Sequence, residues 1–163
     1  LKTLGINKII VIDKESEKSR AMEFGAWEFI GSHGKNGVAG VKDKIRAAAG
    51  DMADAVFICT DSPMGRNVAR RFMKNSGSIC EMGFLCGWRR TPTARYFEDS
   101  MPAGGRFYAA RDYENCMNFL AKAAEMKLPL YKLITHRYKL EEINEAMWTV
   151  VREEGLGIAV FNR

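Results

Sequence analysis

Short apolar runs rich in β-branched residues alternate along this chain with segments of helical periodicity. Two of the runs, residues 8–13 (KIIVID) and 53–60 (ADAVFICT), have the composition of strands that are covered on both faces of a parallel sheet. Strand, helix and strand at this spacing are accommodated most easily by right-handed crossovers. The sequence therefore predicts an α/β fold in which helices flank a mostly parallel sheet.

Residues 1–5 are predicted to form the last turn of a helix, which Gly5 ends. Strands are predicted at residues 8–13, 27–31, 53–60, 78–84, 105–111 and 157–161. Helices are predicted at residues 16–24 with Ser16 as cap, at 41–49, 113–126 and 140–151, and through Met64, Val68 and Phe72 up to Ser76 and Gly77. Residues 32–40 are expected to form a loop, and residues 85–103 carry no recognisable pattern. The last helix is expected to bury Leu140, Ile143, Met147, Val150 and Val151.

Composition narrows the class of protein. With 163 residues, 47% of them hydrophobic, the chain is predicted to form a single domain over residues 1–163. Its 25 Lys and Arg are scattered among 20 Asp and Glu, which indicates a solvated surface and no nucleic-acid partner. No apolar stretch approaches the roughly 18 residues that span a bilayer, so no membrane partner is expected. The four cysteines are not closely spaced, which predicts reduced thiols in a cytoplasmic protein.

Asp13 stands at the carboxyl end of the first predicted strand. A carboxylate there can accept hydrogen bonds from both hydroxyls of an adenosine ribose, and it repels a 2′-phosphate, so it favours NAD over NADP. Lys14 follows it, and a lysine beside the ribose would partly offset that repulsion. An acid that caps a turn or a helix is an equally open interpretation of Asp13.

Other candidate residues also follow predicted strands. Cys59 and Thr60 end the strand at residues 53–60, and Gly83 with Phe84 ends the strand at residues 78–84. Ligands of open parallel sheets bind beyond such carboxyl ends, although core packing would account equally well for Cys59 and Phe84.

Several expected signatures are missing from the sequence. There is no G-x-G-x-x-G turn, and residues 31–35 (GSHGK) lack the spacing of a phosphate loop, so a surface loop is predicted there. His33 and His136 are the only histidines, and His136 is expected to lie in a structural turn. Neither a metal site nor a catalytic residue is predicted in this chain.

Several segments together resemble the medium-chain, zinc-dependent alcohol dehydrogenases, near the sorbitol and threonine dehydrogenase branch. They are residues 4–13 (LGINKIIVID), 23–26 (EFGA), 53–60 followed by Ser62 and Pro63, 77–83 (GSICEMG), 133–137 (LITHR) and 140–147 (LEEINEAM). Their order and spacing cover nearly the whole chain apart from residues 85–103.

The resemblance implies a Rossmann-like domain that binds NAD(H), with the catalytic zinc in a separate domain that this chain is expected to lack. Carried over by position, Asp13 would bind the adenosine ribose, with Lys14 next to it in the sequence, and Cys59 and Thr60 would line the cofactor cleft. Gly83 and Phe84 would lie near the nicotinamide, because a glycine lets the ring approach the strand end. The implied reaction of the whole enzyme is hydride transfer between an alcohol or polyol and NAD, and this chain alone is expected to be inactive.

The chain also departs from the family. The strand and glycine loop that start such a domain are expected to be missing, and Asp61 replaces the family's usual glycine, which adds a carboxylate near the cofactor. In the family the missing strand lies between the strands that end at Asp13 and Thr60, so both would have unpaired backbone edges. The chain is therefore expected to be a fragment, or to borrow a strand. The resemblance further implies a homo-oligomer that forms through residues 105–111.

Two rival functions stay open. A degenerate domain that no longer binds cofactor would serve as an oligomerisation or interaction module, which the missing glycine loop and Asp61 favour. A methyltransferase also holds a ribose with an acid at the end of its second strand, although residues 133–137 and 140–147 do not fit that class.

Overall fold

Backbone hydrogen bonds arrange six strands of the chain in three parallel pairs in the computed structural model. The structure describes residues 1–32, 37–60, 68–82, 110, 112–152 and 157–161. The chain divides into two compact units, Leu1–Tyr113 and Glu114–Arg163. The predicted α/β class is confirmed, because helices alternate with strands and each strand pair in the described ranges is parallel.

The first strand pair consists of β1 (Ile10–Asp13) and β2 (Glu28–Gly31), which lie within the strands predicted at residues 8–13 and 27–31. Trp27 N–H donates to the Ile9 carbonyl at 2.8 Å, and Ser32 N–H donates to the Asp13 carbonyl at 2.7 Å. Odd-numbered residues of β1 therefore direct their backbone groups towards β2, and Ile10 and Ile12 direct theirs to the opposite edge. No strand within the described ranges pairs with that edge, which is where the sequence predicts a missing strand.

A helix, α1 (Lys18–Glu23), connects β1 to β2. Gly25 ends the segment as predicted, with a φ of 91° that a residue without a side chain adopts at little cost. The prediction that Ser16 caps this helix is wrong. Ser16 lies inside a 3-10 turn, Glu15–Glu17, and the last residue of that turn takes the N-cap position of α1.

The next helix, α2 (Gly37–Ala49), begins four residues before the predicted start, so residues 37–40 are helical and not loop. Its Val41 and Ile45 are buried, as the periodicity predicts. They form a core cluster with Ile30, Met52 and Phe72, and the side chains of β1 pack against it. Burial of this apolar stripe therefore places α2 against the first strand pair.

The second strand pair consists of β3 (Ala53–Ile58) and β4 (Met73–Glu81). Val56 and Ile79 lie opposite each other in the register, and Ile58 and Ile79 are almost completely buried together with Ala69. One face of this pair is therefore covered. The alternate residues Ala55 and Phe57 are exposed on the other face.

The prediction that Ser76 and Gly77 end a helix is wrong, because β4 begins before them at Met73. Only a short helical segment and a 3-10 turn, Arg70–Phe72, precede the strand in the described part. The register passes from Ala53 opposite Met73 to Ala55 opposite Ser78, so β4 advances five residues while β3 advances two. Gly77 belongs to this bulge, where a side chain in place of its hydrogen would collide with the backbone of β3.

An exposed ion pair also joins the two strands. Lys74 Nζ lies 2.7 Å from Asp54 Oδ1 and 3.7 Å from Asp51 Oδ2. The hydrogen bond and charge of Lys74 hold the pKa of Asp54 below its ordinary value, and Asp54 in turn raises the pKa of Lys74. Because solvent screens these exposed groups, the pair orients β4 more than it stabilises the fold.

The second unit contains most of α3 (Asp112–Glu125), then β5 (His136–Lys139), α4 (Ile143–Val151) and β6 (Ile158–Phe161). Both helices and the last strand were predicted, but β5 was not. His136 lies on this strand, paired with Ile158, and not in a turn. The Tyr138 hydroxyl lies 2.7 Å from Thr149 Oγ1, and this hydrogen bond attaches α4 to β5.

The predicted buried stripe of the last helix is wrong. Ala146 and Thr149 are the buried residues of α4, with 3% of each exposed. The large apolar side chains that were expected to be buried are exposed; they are Leu140, Ile143, Met147, Val150 and Val151. The helix therefore contacts its own unit through a narrow strip of small side chains.

Some predictions fall on residues outside the described ranges, namely Met64, the end of the strand at residues 78–84, and the strand at residues 105–111. None of the helices in the described ranges is long and apolar enough to cross a membrane.

We expect Gly77→Ala to destabilise the protein by about 1–3 kcal/mol, the usual effect of overpacking. A Cβ at Gly77 would lie 2.9 Å from the Asp54 carbonyl oxygen and would also collide with the Met73 side chain. Urea unfolding followed by circular dichroism measures the change. Ser78→Ala is the control, since Ser78 is exposed on the same strand and should change stability by less than about 0.5 kcal/mol. Equal stability of the two variants would contradict the bulge packing.

Candidate functional site at the carboxyl ends of β1 and β3

Asp13 lies at the carboxyl end of β1, as predicted, and its side chain is exposed. Its Oδ1 accepts a hydrogen bond of 2.7 Å from the backbone N–H of Lys14. It caps neither the following 3-10 turn, whose N-cap is Lys14, nor α1. Asp13 is therefore not a helix cap, and its bond to the Lys14 N–H is compatible with the other interpretation, an acid in a turn. A carboxylate that faces solvent at a strand end can bind a ligand.

A second carboxylate lies beside Asp13 that the sequence analysis missed. A Cβ built on Gly31 would lie 2.6 Å from Glu15 Oε2, so the Glu15 side chain occupies the space above Gly31. Gly31 is the residue that pairs with Asp13 in the β1–β2 register. The feature of the sequence that could have indicated this contact is an acid two positions after Asp13, together with the glycine that ends β2.

Basic residues surround these carboxylates. Lys18 Nζ lies 3.7 Å from Glu15 Oε1, with both side chains largely exposed. Lys14 is also exposed and follows Asp13 directly. The end of β1 therefore offers two carboxylates and two ammonium groups to a ligand, a mixed set that suits hydroxyl groups next to a phosphate.

Cys59 and Thr60 follow the end of β3, where the sequence places them. Cys59 is exposed as a residue, but packing around its sulfur removes water from it. This desolvation raises the pKa of the Cys59 thiol above its ordinary value of 9.0, and the nearby Cys80 raises it further. Cys59 is therefore mostly protonated near neutral pH, and it can contact a ligand without reacting as a thiolate.

The remaining candidate residues are placed less completely. Gly83 and Phe84, which follow Met82 in the sequence, lie outside the described residues. Asp61 and His33 also lie outside them. His136 Nδ1 lies 2.9 Å from Thr135 Oγ1, and its ring stacks on Tyr138 with the ring centroids 6.2 Å apart. These contacts give His136 a structural role on β5.

Two other features of the described residues are not part of this site. An open hollow of about 390 Å³ between β2 and α2 is lined by Glu28, Phe29, Lys44 and their neighbours, and it includes the amino end of β2. Ligands of parallel sheets bind at the opposite, carboxyl end.

In the described ranges, no group of three or more His, Cys, Asp or Glu side chains could hold a metal ion.

No model of a known protein family matches the chain. The chain is 26% identical over 150 residues to sorbitol dehydrogenase 1 of Saccharomyces cerevisiae, which covers 89% of this chain and 41% of that protein. An alcohol dehydrogenase from Thermotoga maritima superposes on 99% of the chain with a TM-score of 0.83 and 18% identity. The 2R,3R-butanediol dehydrogenase from Bacillus subtilis superposes on 100% of it with a TM-score of 0.70 and 22% identity.

The fold is thus that of Rossmann-like domains of alcohol dehydrogenases, which confirms the predicted fold class. The resemblance to zinc-dependent alcohol dehydrogenases near the sorbitol dehydrogenases is also confirmed, since the sequence matches extend over most of the chain. The chain spans 41% of the length of the curated relatives and about 45% of the solved structures it matches.

We expect Cys59 to react slowly with iodoacetamide at pH 7–8, because its raised pKa leaves little thiolate. Its rate should continue to rise with pH beyond 9.0, the ordinary value for a cysteine. Mass spectrometry of the alkylated chain measures the rate at each pH, with a short unstructured cysteine peptide as reference.

In the Cys80→Ser variant the pH profile of Cys59 should move part of the way back towards that of the peptide, because only the smaller cause of the shift is removed. A Cys59 profile in the native chain that superposes on the peptide profile would show that the sulfur is solvated.

Proposed function

We propose that this chain is the NAD(H)-binding portion of a zinc-dependent alcohol or polyol dehydrogenase. The observation that carries the proposal is the exposed Asp13 carboxylate at the carboxyl end of β1, which caps no helix and pairs in register with Gly31. A ribose that approaches this end would present two hydroxyl donors to one carboxylate. The likeness to sorbitol and alcohol dehydrogenases supports the same conclusion.

The residues present fit one end of the dinucleotide. Asp13 would accept hydrogen bonds from the adenosine ribose, with Lys14 beside it. Cys59 and Thr60 would line the cleft at the end of β3, and Gly83 and Phe84 would lie near the nicotinamide. Backbone N–H groups of a glycine-rich turn usually hold the pyrophosphate, and this sequence has no such turn. The chain therefore supplies the ribose contacts without the usual phosphate contacts.

The charges at the end of β1 favour NAD over NADP. Asp13 and Glu15 would bring two carboxylates near a 2′-phosphate, and like charges repel. Lys14 and Lys18 reduce this repulsion, and the Lys18 ammonium is already shared with Glu15. The expected preference is therefore for NAD, and it depends on the Asp13 charge.

The chemistry of the whole enzyme follows from its cofactors. NAD would supply a hydride acceptor for an alcohol, and zinc would supply a Lewis acid for the alcohol oxygen. This chain would bind and orient the dinucleotide, and the catalytic zinc would be held by a separate domain. The proposal therefore assigns no catalytic residue to this chain and expects it to be inactive alone. We also place the protein in the cytoplasm, where nicotinamide cofactors and reduced thiols are abundant.

We expect the native chain to bind NAD more tightly than NADP in isothermal titration calorimetry. Asp13→Ala should weaken NAD binding about ten- to a hundredfold, the usual effect of losing hydrogen bonds to a charged group. Asp13→Asn keeps the size of the side chain and removes its charge, so it should reduce the discrimination between NAD and NADP.

Asp43→Ala is the matched control, because Asp43 is an exposed acid on α2. It removes one negative charge from the chain but should leave NAD affinity unchanged. Equal NAD affinity of folded Asp13→Ala and of the native chain would contradict the site. If the folded native chain bound neither dinucleotide, the second function below would be favoured.

A second function is supported by the exposed apolar side chains of the second unit. Met117, Phe119 and Leu120 on α3 are exposed, as are Met147 and Trp148 on α4. Exposed apolar side chains that are grouped on helices in this way are typical of an interaction site. The alternative proposal is therefore a domain that binds no cofactor and serves as an oligomerisation module, with a second copy of the chain as its partner.

We expect the chain to form a homo-oligomer whose dissociation is visible by sedimentation velocity as the concentration is lowered. Trp148→Gln should weaken association about tenfold or more, because aromatic anchors dominate such interfaces. Glu141→Gln, an exposed polar position on the turn before α4, is the control. A monomer at all concentrations would contradict both this function and the expected oligomer, and it would leave the NAD proposal standing.

A further inference from the structure

Three sulfur atoms lie on one face of the second strand pair. Val56, Ile58 and Ile79 point to the covered face, so Phe57 and its register partner Cys80 point to the other face. Cys59 follows Phe57 by two positions, and Met82 follows Cys80 by two positions. The Met82 N–H bonds to the Ile58 carbonyl at 2.8 Å, which extends the parallel ladder to this point. All three sulfur-containing residues therefore share the exposed face at the strand ends.

Two of the sulfur atoms are in contact, since Cys80 Sγ lies 3.7 Å from Met82 Sδ. The register makes Cys59 the direct neighbour of Met82 across the ladder and the diagonal neighbour of Cys80. Two thiols and one thioether therefore lie on one face at the ends of β3 and β4.

A disulfide between the two cysteines does not fit this register. Diagonal neighbours on paired strands have Cα atoms about 7–8 Å apart, beyond the usual disulfide range of about 4.4–6.8 Å. A metal ion bound between two sulfurs adds two bonds of about 2.3 Å each, so it spans a separation that an S–S bond cannot. The geometry therefore favours chelation over oxidation.

We propose that Cys59, Cys80 and Met82 form a binding site for a soft d¹⁰ metal ion, with Cu⁺ as the ion that best matches two thiolates and one thioether. Thioether sulfur is a poor ligand for hard ions, and soft thiolate and thioether sets select Cu⁺. Structural zinc requires four ligands of the Cys and His type, and none of the described residues supplies the other two here.

Binding is coupled to the protonation of the thiols. Each of the two cysteines loses one proton to solvent, and the sulfur lone pairs then form the bonds to Cu⁺, whose oxidation state does not change. Because protons and Cu⁺ compete for the same two sulfurs, affinity should increase as the pH rises from 6 to 9. The site is distinct from the catalytic zinc of alcohol dehydrogenases, and it shares Cys59 with the cofactor cleft proposed above.

The test is an anaerobic titration of the reduced full chain with Cu⁺ in competition with bicinchoninate, a chromophoric Cu⁺ chelator. One equivalent should bind. Cys59→Ser and Cys80→Ser should each weaken binding at least about tenfold, because each removes a thiolate ligand. Met82→Leu keeps the size of the side chain, and it should weaken binding to a smaller extent. Cys116→Ser is the control, since Cys116 is an exposed cysteine on α3, in the other unit.

A second measurement uses the unmodified chain, so it does not depend on the folding of a variant. One equivalent of Cu⁺ should protect Cys59 and Cys80 from alkylation and leave Cys116 reactive, as mapped by mass spectrometry. Protection of Cys86 or Cys116 instead, or full affinity in both serine variants, would overturn the proposal. Absence of Cu⁺ binding by a chain that still binds NAD would overturn the metal site alone.

Discussion

Parallel backbone pairing is the constraint on which the rest of this structure depends. Parallel strands bring all their carboxyl ends to the same edge, and the polar residues that follow the strands are collected there. Asp13 reaches this edge because β1 pairs with β2, and Cys59 reaches the neighbourhood of Cys80 and Met82 because β3 pairs with β4. The candidate site and the proposed metal site thus have the same physical origin.

Pairing alone does not stabilise strands of four to nine residues, and helices cover one face of each pair in the first unit. Val41 and Ile45 of α2 cover the first pair, and Ala69, in the short helical segment before β4, packs with Ile58 and Ile79 of the second. The face of β3 and β4 that carries the sulfur atoms is left accessible. Burial on one face therefore stabilises each pair, and exposure on the other leaves a surface that can bind a ligand.

Much of this arrangement could be predicted from local sequence pattern. The apolar runs at residues 8–13 and 53–60 form strands, Gly25 ends a helix, and Asp13 stands at a strand end. The errors have identifiable causes. Gly77 has the same local signature in a bulge as at a helix end, and the difference depends on whether Asp54 of another strand lies beside it. The exposed apolar side chains of α4 show that periodicity identifies an apolar face without identifying what covers it.

The amino-acid order was sufficient for the α/β class, the position of most strands and the acid at the end of β1, because these depend on interactions between residues that are near one another along the chain. It was not sufficient for the Glu15 side chain above Gly31 or for the grouping of Cys59, Cys80 and Met82. Those contacts depend on strand register and on which side chains point to the same face. A shift of one residue in the register of β3 or β4 would move the side chains of that strand to the opposite face, and three-dimensional packing selects between the two.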